Sequence, residues 1–334
     1  MSAPLRILLS DAARECVGPR IANVLGARPF ELLSINALAT EPVADADIAF
    51  ISRDVTGRST KHELAPALQA CYDTLRGAPS LQWVHIHSAG ADRPVFGELQ
   101  ARGVAVTTSS GTNAQVVAQT AIAGLLALAR RFPQLMAAQR SRTWAPLIDS
   151  NGIALPRDLD GQTAVVVGWG PIGQQIGRLL TALGLRTVVV RRSALAVEGA
   201  DQVVGFDALD QVLPKADWLV LACPLTDTTR GLIDRHTLAL LPPGAQLINV
   251  AHGEVVNEVE LIAALQRGQL TGAFLDVFAH EPLGADSPLW DLPNVIVTPH
   301  TAGHSDGHFE RVAQALVDNL VRWVAGQPLG NQVR

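Results

Sequence analysis

Residues 163–190 read TAVVVGWGPIGQQIGRLLTALGLRTVVV. A β-branched run ends at Gly168-Trp169-Gly170-Pro171-Ile172-Gly173, a helical pattern follows, and a second β-branched run closes the unit. This order predicts a strand, a tight turn, a helix and a parallel strand within about 30 residues. Gly168 permits the turn, Gly170 lets the backbone approach a pyrophosphate, and Gly173 allows helix and strand to pack closely. The helical pattern QQIGRLLTALG comes after Gly173, the ligand is expected on its positive N-terminus, and Pro171 and Ile172 of the turn are counted with the cofactor-binding residues. A G-x-G-x-x-G alone is a weak signal, but leaving a strand and opening a helix it reads as a dinucleotide-binding turn.

Outward from this unit, short apolar runs alternate with helical patterns at 5–10, 47–52, 81–87, 103–108, 217–223, 245–251, 272–278 and 294–299. Near-continuous apolar strands separated by helices predict parallel sheets covered on both faces. A chain of 334 residues suggests two domains. The expected fold is therefore α/β, with Rossmann-like doubly wound parallel sheets. Asn257, with Glu260 three residues on and Gly268 as the stop, predicts a capped helix. Residues 114–131 are apolar nearly all round, so that helix must be buried between elements, domains or subunits. The turn-rich stretch 149–161 is a linker candidate.

Composition removes several function classes. With 26 Lys+Arg against 31 Asp+Glu, the net charge of −5 offers no basic excess for nucleic acid. The longest strictly apolar run, 121–129, is half of a membrane span, and the opening MSAPLRILLS lacks a leader pattern, so no membrane partner and a cytoplasmic location are expected. Cys16, Cys71 and Cys223 are widely spaced, without a C-x-x-C pair. Neither a disulfide framework nor a metal site is expected, and each cysteine reads as a small buried hydrophobe.

The second strand of the opening unit ends in Arg191-Arg192-Ser193, with no acid before Glu198. A carboxylate about 20 residues beyond the turn would bind the adenosine ribose hydroxyls of NAD. Two guanidiniums and a hydroxyl suit a 2′-phosphate instead, so NADP(H) is expected to be preferred over NAD(H).

From about Leu81 onward the chain resembles the D-isomer-specific 2-hydroxyacid dehydrogenases, in particular their glyoxylate/hydroxypyruvate reductase branch. The resemblance rests on HSAGAD (87–92), the glycine turn, CPLTDTTRGLID (223–234), LINVAHGEVVNEVEL (247–261), GAFLDVFAHEPL (272–283), SPLW (287–290) and NVIVTPHTAG (294–303), in register. The first 80 residues match only loosely. The resemblance implies a substrate-binding, flavodoxin-like domain of residues 1–109 plus 302–334, a Rossmann domain of 110–301, and an active site in the cleft between them. It implies that His300 is the acid/base and Glu281 its partner carboxylate, that Asp276 meets the nicotinamide carboxamide, and that Ala89 and Gly90 bind the substrate carboxylate. Cys223, Pro224, Leu225, Thr226 and Thr228 would lie along the cofactor, and Asn249, Val250 and Ala251 beside the nicotinamide ring. It also implies a homodimer through 113–150.

One residue departs from the pattern. His252 stands where the family carries a substrate-clamping arginine. Histidine is shorter, donates once per nitrogen and is only partly charged at neutral pH. Three accounts are open: His252 is a substitute that makes activity rise at acidic pH, Arg53 compensates, or the substrate is not a simple 2-keto acid. A non-catalytic NADP(H)-binding regulator is the rival reading; formate or phosphite oxidation fits less well, since the formate branch pairs its histidine with glutamine and phosphite needs a strong cationic clamp. His304 reads as a helix cap or surface group, His87 as packing under the Ala89-Gly90 turn, and Trp144 and Trp290 as cleft, interface or core aromatics.

Overall fold

The computed structural model describes residues 3–38, 45–57, 59, 63–91, 93–147 and 155–333. Arg58, Asp92 and the first part of the expected linker, 149–154, lie outside the described residues. The chain divides into two units, Met1–Thr112 with Ser305–Arg334, and Asn113–His304. These boundaries fall three residues after the expected 109/110 and 301/302.

The first unit runs β1 (Leu5–Leu9), α1 (Asp11–Leu25), β2 (Phe30–Ser34), β3 (Ile48–Ile51), α2 (Arg53–Thr56), α3 (Pro66–Gly77), β4 (Trp83–Ile86), α4 (Pro94–Ala101) and β5 (Ala105–Thr108). The second runs α5 (Ala114–Ala129), α6 (Phe132–Arg140), β6 (Thr163–Val167), α7 (Pro171–Ala182), β7 (Arg186–Val190), β8 (Gln202–Val204), α8 (Leu209–Val212), β9 (Trp218–Leu221), α9 (Arg235–Leu240), β10 (Gln246–Asn249), α10 (Glu258–Gln266), β11 (Gly272–Leu275) and β12 (Val295–Val297). The chain then re-enters the first unit as α11 (His308–Val324).

Both sheets are parallel throughout, in the orders β2-β1-β3-β4-β5 and β12-β11-β10-β9-β6-β7-β8. Each is covered on both faces. In the first unit, Leu5, Ile7 and Leu9 of β1 pack with α1 and with Val312, Leu316 and Leu320 of α11, while Leu8 faces Leu68 and Leu75 of α3 and Leu99 of α4. In the second, α5 and α7 cover one face and α8, α9 and α10 the other. All ten expected apolar runs contain a strand. The two strands missed, β2 and β8, are edge strands whose residues are not fully buried, so their sequences FELLS and QVV lack a continuous apolar run.

Local signals act as their chemistry requires. The Asn257 side chain accepts the Glu260 N–H at the start of α10, and Ser10 accepts the Ala13 N–H at the start of α1. A full capping box also stands at Asp234 and Thr237 before α9. In α5, Val117, Ala118, Ala121, Ile122, Leu125 and Leu128 are buried within the second unit's own core, and a Cβ at Gly124 would stand 2.3 Å from the Phe274 ring. Most of that helix's apolar girth is thus covered within its own chain. Exposed apolar surface belongs instead to α6 and the residues just after it, with Phe132 51%, Met136 47% and Trp144 94% exposed.

Some expectations need correction. Cys16 is exposed, because α1 buries Ala13, Val17, Ile21 and Leu25 and turns position 16 outward; Cys71 and Cys223 are buried. Trp144 and Trp290 are not core residues; Trp290 is 51% exposed and its Nε1 donates to the Gly284 carbonyl at 2.8 Å. Of the two readings of His304, the structure keeps the surface group: the residue is exposed, and α11 begins only at His308. Among the described residues no helix is long and apolar enough to cross a membrane.

A buried polar chain crosses the first unit. Trp83 Nε1 donates to Thr107 Oγ1 at 2.7 Å, His85 contacts Thr107 Oγ1 and Ser109 Oγ at 2.8 and 3.1 Å, and Ser109 Oγ donates to the Ile86 carbonyl at 2.9 Å. Burial, with a small contribution from His87, pushes His85 down to about 3. Burial first, then the charges of His308, Arg53 and Arg93 against Asp54, pushes His87 down to about 4. Unfolded, both return to about 6.5. Between these values the unfolded chain binds protons that the folded chain refuses, so stability falls as pH drops below about 6.5, at up to about 1.4 kcal/mol per pH unit for each ring. Urea melts between about pH 6.5 and 4 should show this slope reduced in His85→Gln; an unchanged slope contradicts the assignment.

Candidate active site

The glycine turn comes directly after β6. Gly168 has φ +98°, and a Cβ there would stand 2.6 Å from Cys223 Cα and 2.7 Å from the Ala222 carbonyl oxygen. At Gly173 a Cβ would stand 2.1 Å from the Gly168 carbonyl oxygen. Both glycines are therefore fixed by backbone approach. Gly170 differs: nothing lies within 4 Å of its Cβ position, so the N-terminus of α7 opens onto space there. Pro171 occupies the first helical turn, and the Ile172 and Gly173 N–H groups have no intrahelical carbonyl. This cradle fits a pyrophosphate. Arg191, Arg192 and Ser193 come after β7, the neighbouring strand, and neither arginine has an ion-pair partner among the described residues.

After β9, the Cys223 thiol is pushed up to about 11 by burial and stays protonated. Pro224 and Thr228 are exposed. The organiser of this loop is Thr229, a residue that the motif alone does not single out: it donates to the Pro224 carbonyl at 2.7 Å and accepts the Thr226 N–H at 2.8 Å.

Three further loops leave the carboxyl ends of adjacent strands β10, β11 and β12. In the first, Asn249 Oδ1 accepts the Ala251 N–H and its Nδ2 donates to the His252 carbonyl, which fixes the path of Val250, Ala251 and His252. A Cβ at Gly253 would stand 1.8 Å from the Phe278 carbonyl carbon, so this loop is packed backbone to backbone on the one that carries Glu281. In that second loop Glu281 Oε1 accepts the Phe278 N–H at 3.1 Å. Its Oε2 lies 2.8 Å from His300 Nδ1. The His300 side chain is 61% exposed, so the imidazole is tied to Glu281 through Nδ1 while much of the ring faces solvent.

Asp276 is 2% exposed, and its carboxylate is occupied. Oδ1 accepts Thr298 Oγ1 at 2.6 Å and the Thr301 N–H at 2.9 Å, Oδ2 accepts the Ala302 N–H at 2.9 Å, and its carbonyl accepts the His300 N–H at 2.9 Å. Thus one residue grips the turn on both sides of His300, which sits in the left-handed region at φ +53°. Thr298 and Thr301 were not singled out from sequence; only the TPHT spacing around His300 carries a signal for them.

In the first unit, Ser88 Oγ donates to the Gly90 carbonyl and the Ser109 N–H to the Ser88 carbonyl. The carbonyls of this turn are thus tied inward, and Ala89 and Gly90 are exposed. The contact seen for His87 is with another segment: its Nε2 lies 3.0 Å from Thr56 Oγ1 on α2, the helix that Arg53 begins. Among the described residues no group of three His, Cys, Asp or Glu is placed to hold a metal.

A parallel sheet with a dinucleotide cradle on one side of its switch point and a histidine–carboxylate pair on the other defines a nucleotide-dependent dehydrogenase. The chain belongs to the D-isomer specific 2-hydroxyacid dehydrogenase family, whose NAD binding domain matches residues 122–302. It is 31% identical over 318 residues to a glyoxylate/hydroxypyruvate reductase B of Pectobacterium carotovorum, covering 94% of this chain and 95% of the relative. A D-isomer specific 2-hydroxyacid dehydrogenase of Xanthobacter autotrophicus, solved with NADPH and MES, matches with TM-score 0.78 and 28% identity over 99% of this chain and 98% of that one. An NADPH-dependent glyoxylate/hydroxypyruvate reductase of Sinorhizobium meliloti, solved with NADP and malonate, matches with TM-score 0.72 and 29% identity over 99% and 97%.

The two carboxylates should separate in mutagenesis. Asp276→Asn places an amide donor against backbone N–H groups and should lower unfolding free energy by about 1–3 kcal/mol. Glu281→Gln, at a more exposed pair, should change stability by less than about 1 kcal/mol and act on turnover instead. Parallel denaturant melts and dehydrogenase assays check both; equal melts for the two variants count against the grip.

Proposed function

We propose that this chain reduces a small 2-keto acid of the glyoxylate/hydroxypyruvate kind to a D-2-hydroxy acid, with NADP(H) preferred over NAD(H). The observation that carries the reading is the 2.8 Å pair of His300 Nδ1 and Glu281 Oε2 at the carboxyl edge of the sheet that also bears the glycine cradle. Reduction at C2 needs a hydride and a proton, and a bound reduced nicotinamide supplies the hydride. His300 holds the proton on Nε2, the nitrogen directed away from Glu281, and passes it to the C2 oxygen. Glu281 orients the ring and balances the charge it carries. Ala89, Gly90 and His252 hold the substrate carboxylate, with Arg53 as a further cation.

On the cofactor side, the N–H groups of Ile172 and Gly173 receive the pyrophosphate at Gly168 and Gly170, and Arg191, Arg192 and Ser193 the 2′-phosphate. Cys223, Pro224, Thr228, Val250 and Ala251 line the path to the nicotinamide, and Asp276 holds the loop beside it. The NADPH named for the Sinorhizobium and Xanthobacter proteins supports the cofactor choice.

His252 works as a partial substitute for a guanidinium, so activity should rise as pH falls. NADPH oxidation against glyoxylate, hydroxypyruvate, pyruvate and bulkier 2-keto acids, at about pH 5.5 and 7.5, tests the reading. His252→Arg should raise kcat/KM by roughly 30- to 1000-fold at the higher pH. The same residue favours a second reading, a non-catalytic NADP(H)-binding regulator, which predicts tight cofactor binding without turnover across the panel.

A homodimer through 113–150 completes the proposal, supported by the exposed Phe132, Met136 and Trp144. Light scattering after gel filtration should return two copies, and Met136→Asp should shift the mass toward one; a wild-type monomer refutes it.

A further inference from the structure

Trp169 is the first variable residue of the glycine turn, and nothing in the turn's phosphate chemistry calls for an indole there. Its surroundings give it a place. A Cβ at Gly177 would stand 2.2 Å from Trp169 Cη2 and 2.8 Å from Cζ3, and one at Gly173 would stand 3.8 Å from Cε3. Gly173 and Gly177 lie one turn apart on α7, so together they form the notch in which the ring lies. A Cβ at Gly199, where φ is +80°, would stand 3.9 Å from Cζ2, the ring atom that a Cβ at Gly177 would approach to 3.3 Å, so the ring's outer end lies next to both glycines. The backbone under the ring is pinned as well, since Gln174 Nε2 donates to the Trp169 carbonyl at 3.1 Å. The notch explains Gly177, which the G-x-G-x-x-G pattern leaves unaccounted for.

Gly199 belongs to residues 191–201, the segment that leaves the carboxyl end of β7 and returns to the amino end of β8. Both ends of this segment are fastened. Arg191 N–H donates to the Val204 carbonyl at 3.1 Å, and Asp201 exchanges bonds with Thr187 at 2.9 and 2.7 Å. Between the fastened ends, Leu195 is 75% exposed, and the indole supports the segment near Gly199. Arg191, Arg192 and Ser193 ride on the same segment.

We infer that Trp169 is a specificity-determining positioning residue: wedged between α7 and the 191–201 segment, it sets the distance from the pyrophosphate turn to the Arg191–Arg192 pair and so selects a cofactor bearing a 2′-phosphate. The inference rests on the proposed NADP(H) preference. A guanidinium contact to phosphate depends on angle as well as charge. A segment that loses its wedge keeps its charges but loses their placement, so the penalty falls on the 2′-phosphate and spares the rest of the cofactor.

Equilibrium titrations with NADPH, NADH and 2′,5′-ADP, on the full-length wild type, Trp169→Leu and Gly177→Ala, test it. Alanine favours the helix, but its methyl displaces the ring, so Gly177→Ala keeps the fold while moving the wedge. Both variants should weaken NADPH and 2′,5′-ADP about tenfold or more while NADH changes less than about twofold. Equal weakening of NADPH and NADH makes Trp169 a support of the turn alone and overturns the inference, as does an unchanged NADPH-to-NADH ratio. A wild type that binds NADH more tightly than NADPH refutes the underlying cofactor reading, whatever the variants do.

Discussion

Seven strands of the second unit run in one direction, and that single constraint determines where its chemistry can be. Parallel pairing obliges each strand to be followed by a crossover, so every residue just after a strand lands on the same edge. Gly168 follows β6, Arg191 follows β7, Cys223 follows β9, Val250 follows β10, Asp276 follows β11 and Thr298 follows β12. The strand order reverses between β6 and β9, which leaves a crevice where two crossovers part to opposite faces. From β11 to β7 is four inter-strand steps of about 4.8 Å, or about 19 Å. A ligand that uses both the His300 pair and the arginine pair must be long and extended, as a dinucleotide is.

Within that edge, Asp276 carries the cost that the His300 conformation imposes. A histidine at φ +53° gives up of order 1–3 kcal/mol relative to an ordinary backbone. A buried carboxylate facing no cation is itself expensive unless its lone pairs are met by donors. The two demands meet in one arrangement: three donors on the carboxylate oxygens and one on the carbonyl all come from residues 298–302. The left-handed turn supplies the donors, and the donors hold the turn. Glu281 shows the same economy on a smaller scale, one oxygen accepting the Phe278 N–H while the other meets His300.

The sheet and its turn were legible in the sequence because buried parallel strands leave long apolar runs and because Gly168 and Gly173 are forced by backbone approach within the same short unit. The edge strands β2 and β8 were not, since a half-covered strand keeps residues such as Glu31 and Gln202 and reads as a loop. At the site, His300 and Glu281 could be named from motif register, and the structure places them 2.8 Å apart. What could not be read was support. Thr229, Thr298 and Thr301 act through hydroxyls and backbone N–H groups, and a threonine carries no periodicity that distinguishes an organiser of a loop from a bystander. The buried His85 was equally silent: its position in WVHI suits a strand core, yet both ring nitrogens meet hydroxyls, a fact of cross-strand register that only the pairing of β4 with β5 supplies.

The departure at position 252 gains meaning from the backbone around it. Asn249 clamps the residue's carbonyl, and Gly253 lies so close to Phe278 that no side chain fits there. The backbone on both sides of residue 252 is thereby held by its neighbours. Exchange of a guanidinium for an imidazole at such a place alters reach and charge. A difference in substrate or pH response at residue 252 therefore starts from its ring's reach and charge, on a backbone that Asn249 and Gly253 hold. In this respect it contrasts with Asp276, whose side chain shapes the very loop on which it acts.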